Sequence, residues 1–156
     1  MRGRGQALVE FALVIPLFVL LMVAIFDLGR GVFAYNSITN AAREGARLAI
    51  VNQTDSSVVA RAISQAAIAE TAAPNVTVAY RETGPNADFA LNGNCTPLKV
   101  DCVAIVTFET TFRPVTPIIS NLLFGSGVTL TAKSIEAIEF ICPNSTTTSS
   151  NCPKQP

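Results

Sequence analysis

The chain opens with an apolar run that admits very few folds. Residues 7–26, ALVEFALVIPLFVLLMVAIF, carry one charged side chain, Glu10, and Asp27 follows at once. A helix of about 20 residues, rising roughly 1.5 Å per residue, reaches about 30 Å, the thickness of a bilayer's hydrocarbon core. Lipid offers no partners to backbone N–H and C=O groups, so a single segment can cross it only as a helix. Pro16 removes one donor and predicts a kink or local loosening there. Arg2 and Arg4 precede the span and favour a cytoplasmic N-terminus with everything after the span exported; Arg30 partly offsets that asymmetry. A carboxylate costs about 2.5 to 3.5 kcal/mol at the centre of a membrane helix and less near its end, so Glu10 calls for a task.

Of the 156 residues, those behind the span suffice for one small domain and not for two substantial cores. Eleven basic and eleven acidic side chains cancel, which gives no electrostatic reason to expect nucleic acid as a partner. The four cysteines, Cys95, Cys102, Cys142 and Cys152, fall on the exported side, where an oxidising compartment permits disulfides. Three pairings are possible. Short loops close most easily, which favours Cys95 with Cys102 and Cys142 with Cys152, with free thiols as the alternative. With no histidine and no CxxC pair, no metal site and no cofactor are expected.

Helical spacing does not stop at Phe26. Val32, Tyr35, Ile38, Ala42, Ala46 and Ala49 recur three or four residues apart, which predicts one long helix, half in lipid and half out. Residues 52–56, NQTDS, read as a stop and a new N-cap at Asp55 or Ser56 for a second helix over 57–71, with Val59, Ala62, Ile63, Ala66 and Ala67 on its apolar face. Past Pro74 the texture turns to β: residues 76–81, 99–112 and 128–141 predict three strands, with Gly- and Asn-rich stretches at 84–88 and 92–94 in the connection between the first two. Pro114 and Pro117 precede a possible short helix at 118–123, and residues 144–156 form a polar tail that cannot bury apolar surface. The fold class is α+β: a long N-terminal helix, a second helix and a small antiparallel sheet of about three strands.

Small residues at Ala41, Ala42, Gly45 and Ala46 would let another backbone approach the helix closely, whereas Arg43 and Arg47, four apart, share a face from which each could reach a neighbour's carboxylate or carbonyl. The plainer reading is a small face packed on the domain's own sheet with both arginines in solvent. The stretch from Gly5 to Ala49, GQALVEFALVIPLFVLLMVAIFDLGRGVFAYNSITNAAREGARLA, resembles the N-terminal region of TadE-like proteins, the minor pilins or pseudopilins of tight-adherence (Flp) pilus systems. Gly5, then Glu10-Phe11 before the apolar span, then NAAREGAR at residues 40–47 carry that resemblance. The remaining residues match only loosely, in their αβ order and in a late strand with Glu136 or Glu139.

The resemblance implies a minor pilin or pseudopilin that serves in assembling or priming the pilus and supports surface adhesion. A membrane-embedded prepilin peptidase would cut between Gly5 and Gln6 and remove the leader, residues 1–5. Glycine suits that position because its missing side chain lets an extended backbone enter a narrow cleft. Residues 6–26 would remain as the transmembrane helix, with an exported domain over 27–143 and the tail over 144–156. In related pilins the carboxylate matching Glu10 pairs with the N-terminal ammonium of an adjacent subunit, which would here be that of Gln6 and would set axial register. The plain alternative for Glu10 is that it snorkels to headgroup depth. The implied partners are the membrane, other pilin subunits with the assembly platform, and the peptidase. The implied location is the inner membrane, single-pass with the N-terminus cytoplasmic, and also an extracellular pilus.

Two readings compete with this. A bitopic membrane protein with an external binding domain shares every feature except cleavage after Gly5. A secreted protein with a cleaved signal peptide would use residues 32–34, Val-Phe-Ala, although the apolar block is longer than the usual 7 to 15 residues. An enzyme is not expected: there is no histidine for a Ser-His-Asp or Cys-His arrangement, no phosphate-binding loop, and no catalytic residue to name.

Overall fold

The computed structural model describes residues 4–66, 74–83, 92–100, 102–115, 125 and 127–141. In chain order the elements are α1 (Arg4–Ala49), α2 (Asp55–Gln65), β1 (Asn75–Glu82), β2 (Asn92–Asn94), β3 (Cys102–Phe112) and β4 (Val128–Ala137). The α+β expectation holds, with one strand more than expected. Two compact units emerge, one of residues 1–33 with 112–128 and one of residues 34–111 with 129–156.

The second unit holds the core. Its sheet runs in the order β2-β1-β3-β4, with β1 antiparallel to both β2 and β3. One face of β3 carries Cys102, Ala104, Val106 and Phe108 at the alternate positions a strand presents to one side, and all four are buried. The helices answer with small side chains. Ile38, Ala41, Ala42 and Ala62 surround Phe108 and Ala132, while Ala46, Ala49 and Val58 pack with Ala104, Val106, Ile138 and the two cysteines. Most of the helix side chains in these clusters are alanines, which brings the helix backbones close to the strands.

Helix α2 differs from its expectation at both ends. Thr54, not Asp55 or Ser56, is the N-cap, in extended conformation; the side chain that shapes the turn is Asn52, whose Oδ1 accepts from Thr54 N at 3.0 Å. The helix stops at Gln65, where Ala66 turns extended and its N–H donates to Ile63 O. Nothing in the alanine-rich sequence there explains the early stop. The buried stripe is Val58 with Ala62, and Ile63 faces outward, so the expected apolar face is rotated by one residue. Residues 67–71 of the expected helix, the possible helix at 118–123 and the tail at 144–156 lie outside the described residues.

The fourth strand, β2, was expected to be part of a loop. Asn-Gly-Asn has almost no intrinsic strand preference. Its pairing is imposed from outside: Arg81 stands opposite Asn94 and Glu82 opposite Asn92, Arg81 Nη1 donates to Asn94 Oδ1, and Gly93 takes φ +60°. Cys95, the next residue, is bonded to Cys102 at the start of β3, and its N–H donates to Tyr80 O. The expected Cys95–Cys102 disulfide is therefore present. Cys142 and Cys152 lie outside the described residues.

Candidate membrane and assembly surface

Gly5, Gln6, Glu10 and Phe11 all sit on the first turns of α1, and all are exposed. Gln6 and Glu10 are one turn apart, and Gln6 Nε2 donates to Glu10 Oε1 at 3.4 Å, so residue 6 and the carboxylate share a helix face. Nothing lies within 4 Å of where a Cβ on Gly5 would be. Leu8, Leu13, Leu17, Phe18 and Leu21 are likewise open on all sides of the helix. An isolated soluble chain would not hold so much apolar surface in water, since each such side chain gains about 1.5 to 3 kcal/mol on burial. Among the described residues α1 is the one helix long and apolar enough to cross a membrane. The helix runs unbroken through Pro16.

Where the apolar run ends, the first unit has a polar lock. Asp27 is only 7% exposed; its Oδ1 accepts from Val115 N at 3.1 Å and lies 3.8 Å from Arg30 Nη1. The Arg30 guanidinium sits 5.9 Å from the centre of the Phe112 ring, and a Cβ on Gly31 would touch that ring at 3.5 Å. Asp27, Arg30 and Gly31 thus hold residues 112–115 against α1. The sequence names Asp27 only as a charge after the span; the available signal for more was an acid and a base three apart, followed by a glycine.

In the second unit, the segment at residues 40–47 divides by side-chain type. Ala41, Ala42 and Ala46 are fully buried in the domain's own core. Gly45 is the closest point: a Cβ there would meet the Ala62 methyl at 3.0 Å and Val106 Cγ1 at 3.2 Å. The small face is thus occupied within the chain. Arg47 is exposed and pairs at 3.0 Å with Glu44 of its own helix, and Arg61 of α2 approaches the same carboxylate at 3.5 Å. Arg43 is exposed and has no ion pair among the described residues.

Gln53 is a residue that sequence reading missed. Only 3% exposed, its Nε2 donates to Phe140 O at 2.7 Å and also faces Ala49 O and Ile50 O, closing the C-terminal carbonyls of α1 onto the segment after β4. Within an NQTDS stretch it looks like loop polarity. Only its long amide marks it out.

These features define a class: an α+β protein with one long, exposed N-terminal helix that fits a single-pass membrane anchor. The family model of TadE-like proteins matches residues 5–47. That is the N-terminal part that carried the resemblance, which is shown for this part of the chain. No curated protein and no solved structure matches the chain.

Proposed function

We propose that the chain is a minor pilin or pseudopilin of a tight-adherence pilus system, held in the inner membrane by α1 with its N-terminus cytoplasmic and its second unit exported. The observation that carries this reading is that the TadE-like match begins at residue 5 and runs through the exposed apolar helix. A prepilin peptidase cuts between Gly5 and Gln6, both exposed on the first turn of α1. The new amine at Gln6 is a cation at the membrane edge, and Glu10, on the same face one turn on, is the anion that sets register with a neighbouring subunit. Other pilin subunits and the assembly platform are its partners; the family match and the exposed helix support that assignment.

The experiment is N-terminal sequencing of the native chain, combined with assembly assays on Glu10→Ala. A mature chain starting at Gln6, and loss of the variant from sheared surface filaments or from the assembly complex, is the expected result. A chain starting at Tyr35 would replace the reading by a cleaved signal peptide. One retaining Met1 beside an active prepilin peptidase would replace it by a static anchor.

A further inference from the structure

Val115 lies 88 residues beyond Asp27 in sequence, yet its N–H donates to the Asp27 carboxylate, directly after the last residue of the apolar run. That bond fixes the depth of residues 112–115 against the bilayer. On its open sides α1 stays apolar past this level: Leu28, Val32 and Phe33 are exposed, and Phe33 stands about 9 Å further along the helix axis. A headgroup layer is only about 5 to 7 Å thick on each side of the hydrocarbon, so the level of Asp27 falls inside the interface and not in open water. Asp27 is shielded there between Arg30 and the Val115 amide, as a carboxylate at that depth requires. Outward from α1 the same segment presents Val115, 67% exposed, and the exposed Arg113. An apolar side chain beside a cation suits the boundary between acyl chains and phosphates. The sequence continues in the same sense: from Pro114 to Ala132 it carries no charged side chain and holds Ile118, Ile119, Leu122, Leu123 and Phe124.

We propose that residues 113–115 make a second membrane contact, remote from the span in sequence, in which Val115 enters the acyl boundary of the leaflet at that end of the span and Arg113 holds a lipid phosphate. Phospholipid is the occupant because the contact is continuous with the lipid-facing surface of α1 and lies at a depth set by Asp27, within one compact unit with the span. Charge agrees: the one charged residue in 112–115 is a cation, and every phospholipid headgroup offers a phosphate. Such a contact also limits how far α1 can slide along the bilayer normal, since outward movement would bring Val115 into water.

The inference rests on the reading of α1 as a membrane span and not on the pilus assignment. The chain has no tryptophan, so Val115→Trp and Leu21→Trp each carry a single probe, one at the proposed contact and one inside the span. Val115 is exposed and bonds Asp27 through its backbone, so the substitution leaves that bond in place. Both full-length chains are reconstituted into vesicles of phosphatidylcholine and phosphatidylglycerol, with and without bromine on the acyl chains close to the headgroup. Bromolipid quenching of Val115→Trp at least about half as strong as that of Leu21→Trp, with little quenching by aqueous acrylamide, is the result expected at the acyl boundary. Strong acrylamide quenching without bromolipid quenching overturns the contact, and so does shielding from both quenchers that is lost on dilution with lipid, the mark of a second copy. Adding Arg113→Gln to Val115→Trp should remove the gain in bromolipid quenching that phosphatidylglycerol gives over phosphatidylcholine alone; an equal gain in both chains overturns the phosphate contact of Arg113. Absence of bromolipid quenching at Leu21→Trp removes the span and the contact together, whereas quenching there but not at Val115→Trp removes the contact alone.

Discussion

Gly45 of α1 and Ala62 of α2 stand so close that a Cβ added to the glycine would come within 3.0 Å of the Ala62 methyl, with Val106 Cγ1 at 3.2 Å on the other side. Neither neighbour is the far end of a flexible side chain, so the helices themselves must yield. Gly45→Ala is expected to destabilise the fold by about 1 to 3 kcal/mol, the usual cost of overpacking, despite the helix preference of alanine. Gly29→Ala, where space is open, should be neutral or slightly stabilising. Denaturant midpoints of the two variants in the same detergent check this, and a Gly45→Ala chain as stable as the parent would contradict the packing.

The same glycine shows what could be read in the chain before folding. The long helix, the exposed apolar span, the αβ order and the Cys95–Cys102 bond were legible because each rests on periodicity or on a short loop. In sequence, Ala41, Ala42, Gly45 and Ala46 suit a neighbour's helix and the chain's own core equally, because a small face fits both. What chose was the bulk on β3: Phe108 and Val106 need small partners. β2 was illegible for the opposite reason, since Asn-Gly-Asn pairs only because Arg81 and Cys95 hold it there.

Asp27 accepts from the Val115 amide across 88 residues of sequence. Asp27→Ala leaves that amide without its acceptor and should cost about 1 to 3 kcal/mol, while Asp27→Asn keeps an oxygen in place and should cost less. Hydrogen exchange at Val115 reads the bond directly. Protection should fall in the alanine variant and be largely retained in the asparagine one; unchanged protection in both would mean that another acceptor serves the amide.

Gln53 presents its Nε2 to the oxygens of Ala49, Ile50 and Phe140. Gln53→Ala should cost about 1 to 2 kcal/mol for bonds lost in a buried place. Gln53→Glu should be worse at neutral pH, because a carboxylate aimed at three carbonyls has no proton to donate and is buried among them. Thermal unfolding at pH 7 should rank the chains parent, alanine, glutamate, and the reverse order of the two variants would refute the role.

The Cys95–Cys102 bond closes a loop at sequence separation 7 and pins the end of β2 to the start of β3. Loop-closure entropy for so short a ring gives a stabilisation of about 2.5 kcal/mol. Replacing both cysteines by alanine should lower the denaturant midpoint accordingly and should speed hydrogen exchange at Cys95 N, which donates to Tyr80 O. Exchange there as slow as in the parent would show that strand pairing alone holds β2.

Tyr80 lies against the core with its hydroxyl buried and Asp55 as the charged group near it. Burial first, and the charge of Asp55 second, push its pKa above the ordinary tyrosine value of 10.0. The folded chain therefore holds this proton at pH values where the unfolded chain has released it. The resulting stability is fully present below the unfolded pKa and drains away as pH rises beyond about 10, at up to about 1.4 kcal/mol per pH unit. Denaturant midpoints of the parent should fall between pH 9.5 and pH 11 more steeply than those of Tyr80→Phe, as roughly one extra proton released on unfolding requires. Below pH 9 the phenylalanine variant should lie close to the parent, because it removes a buried hydroxyl whose polar neighbour is Asp55. Parallel alkaline profiles for the two chains would mean that Tyr80 ionises in the folded state as readily as in the unfolded one.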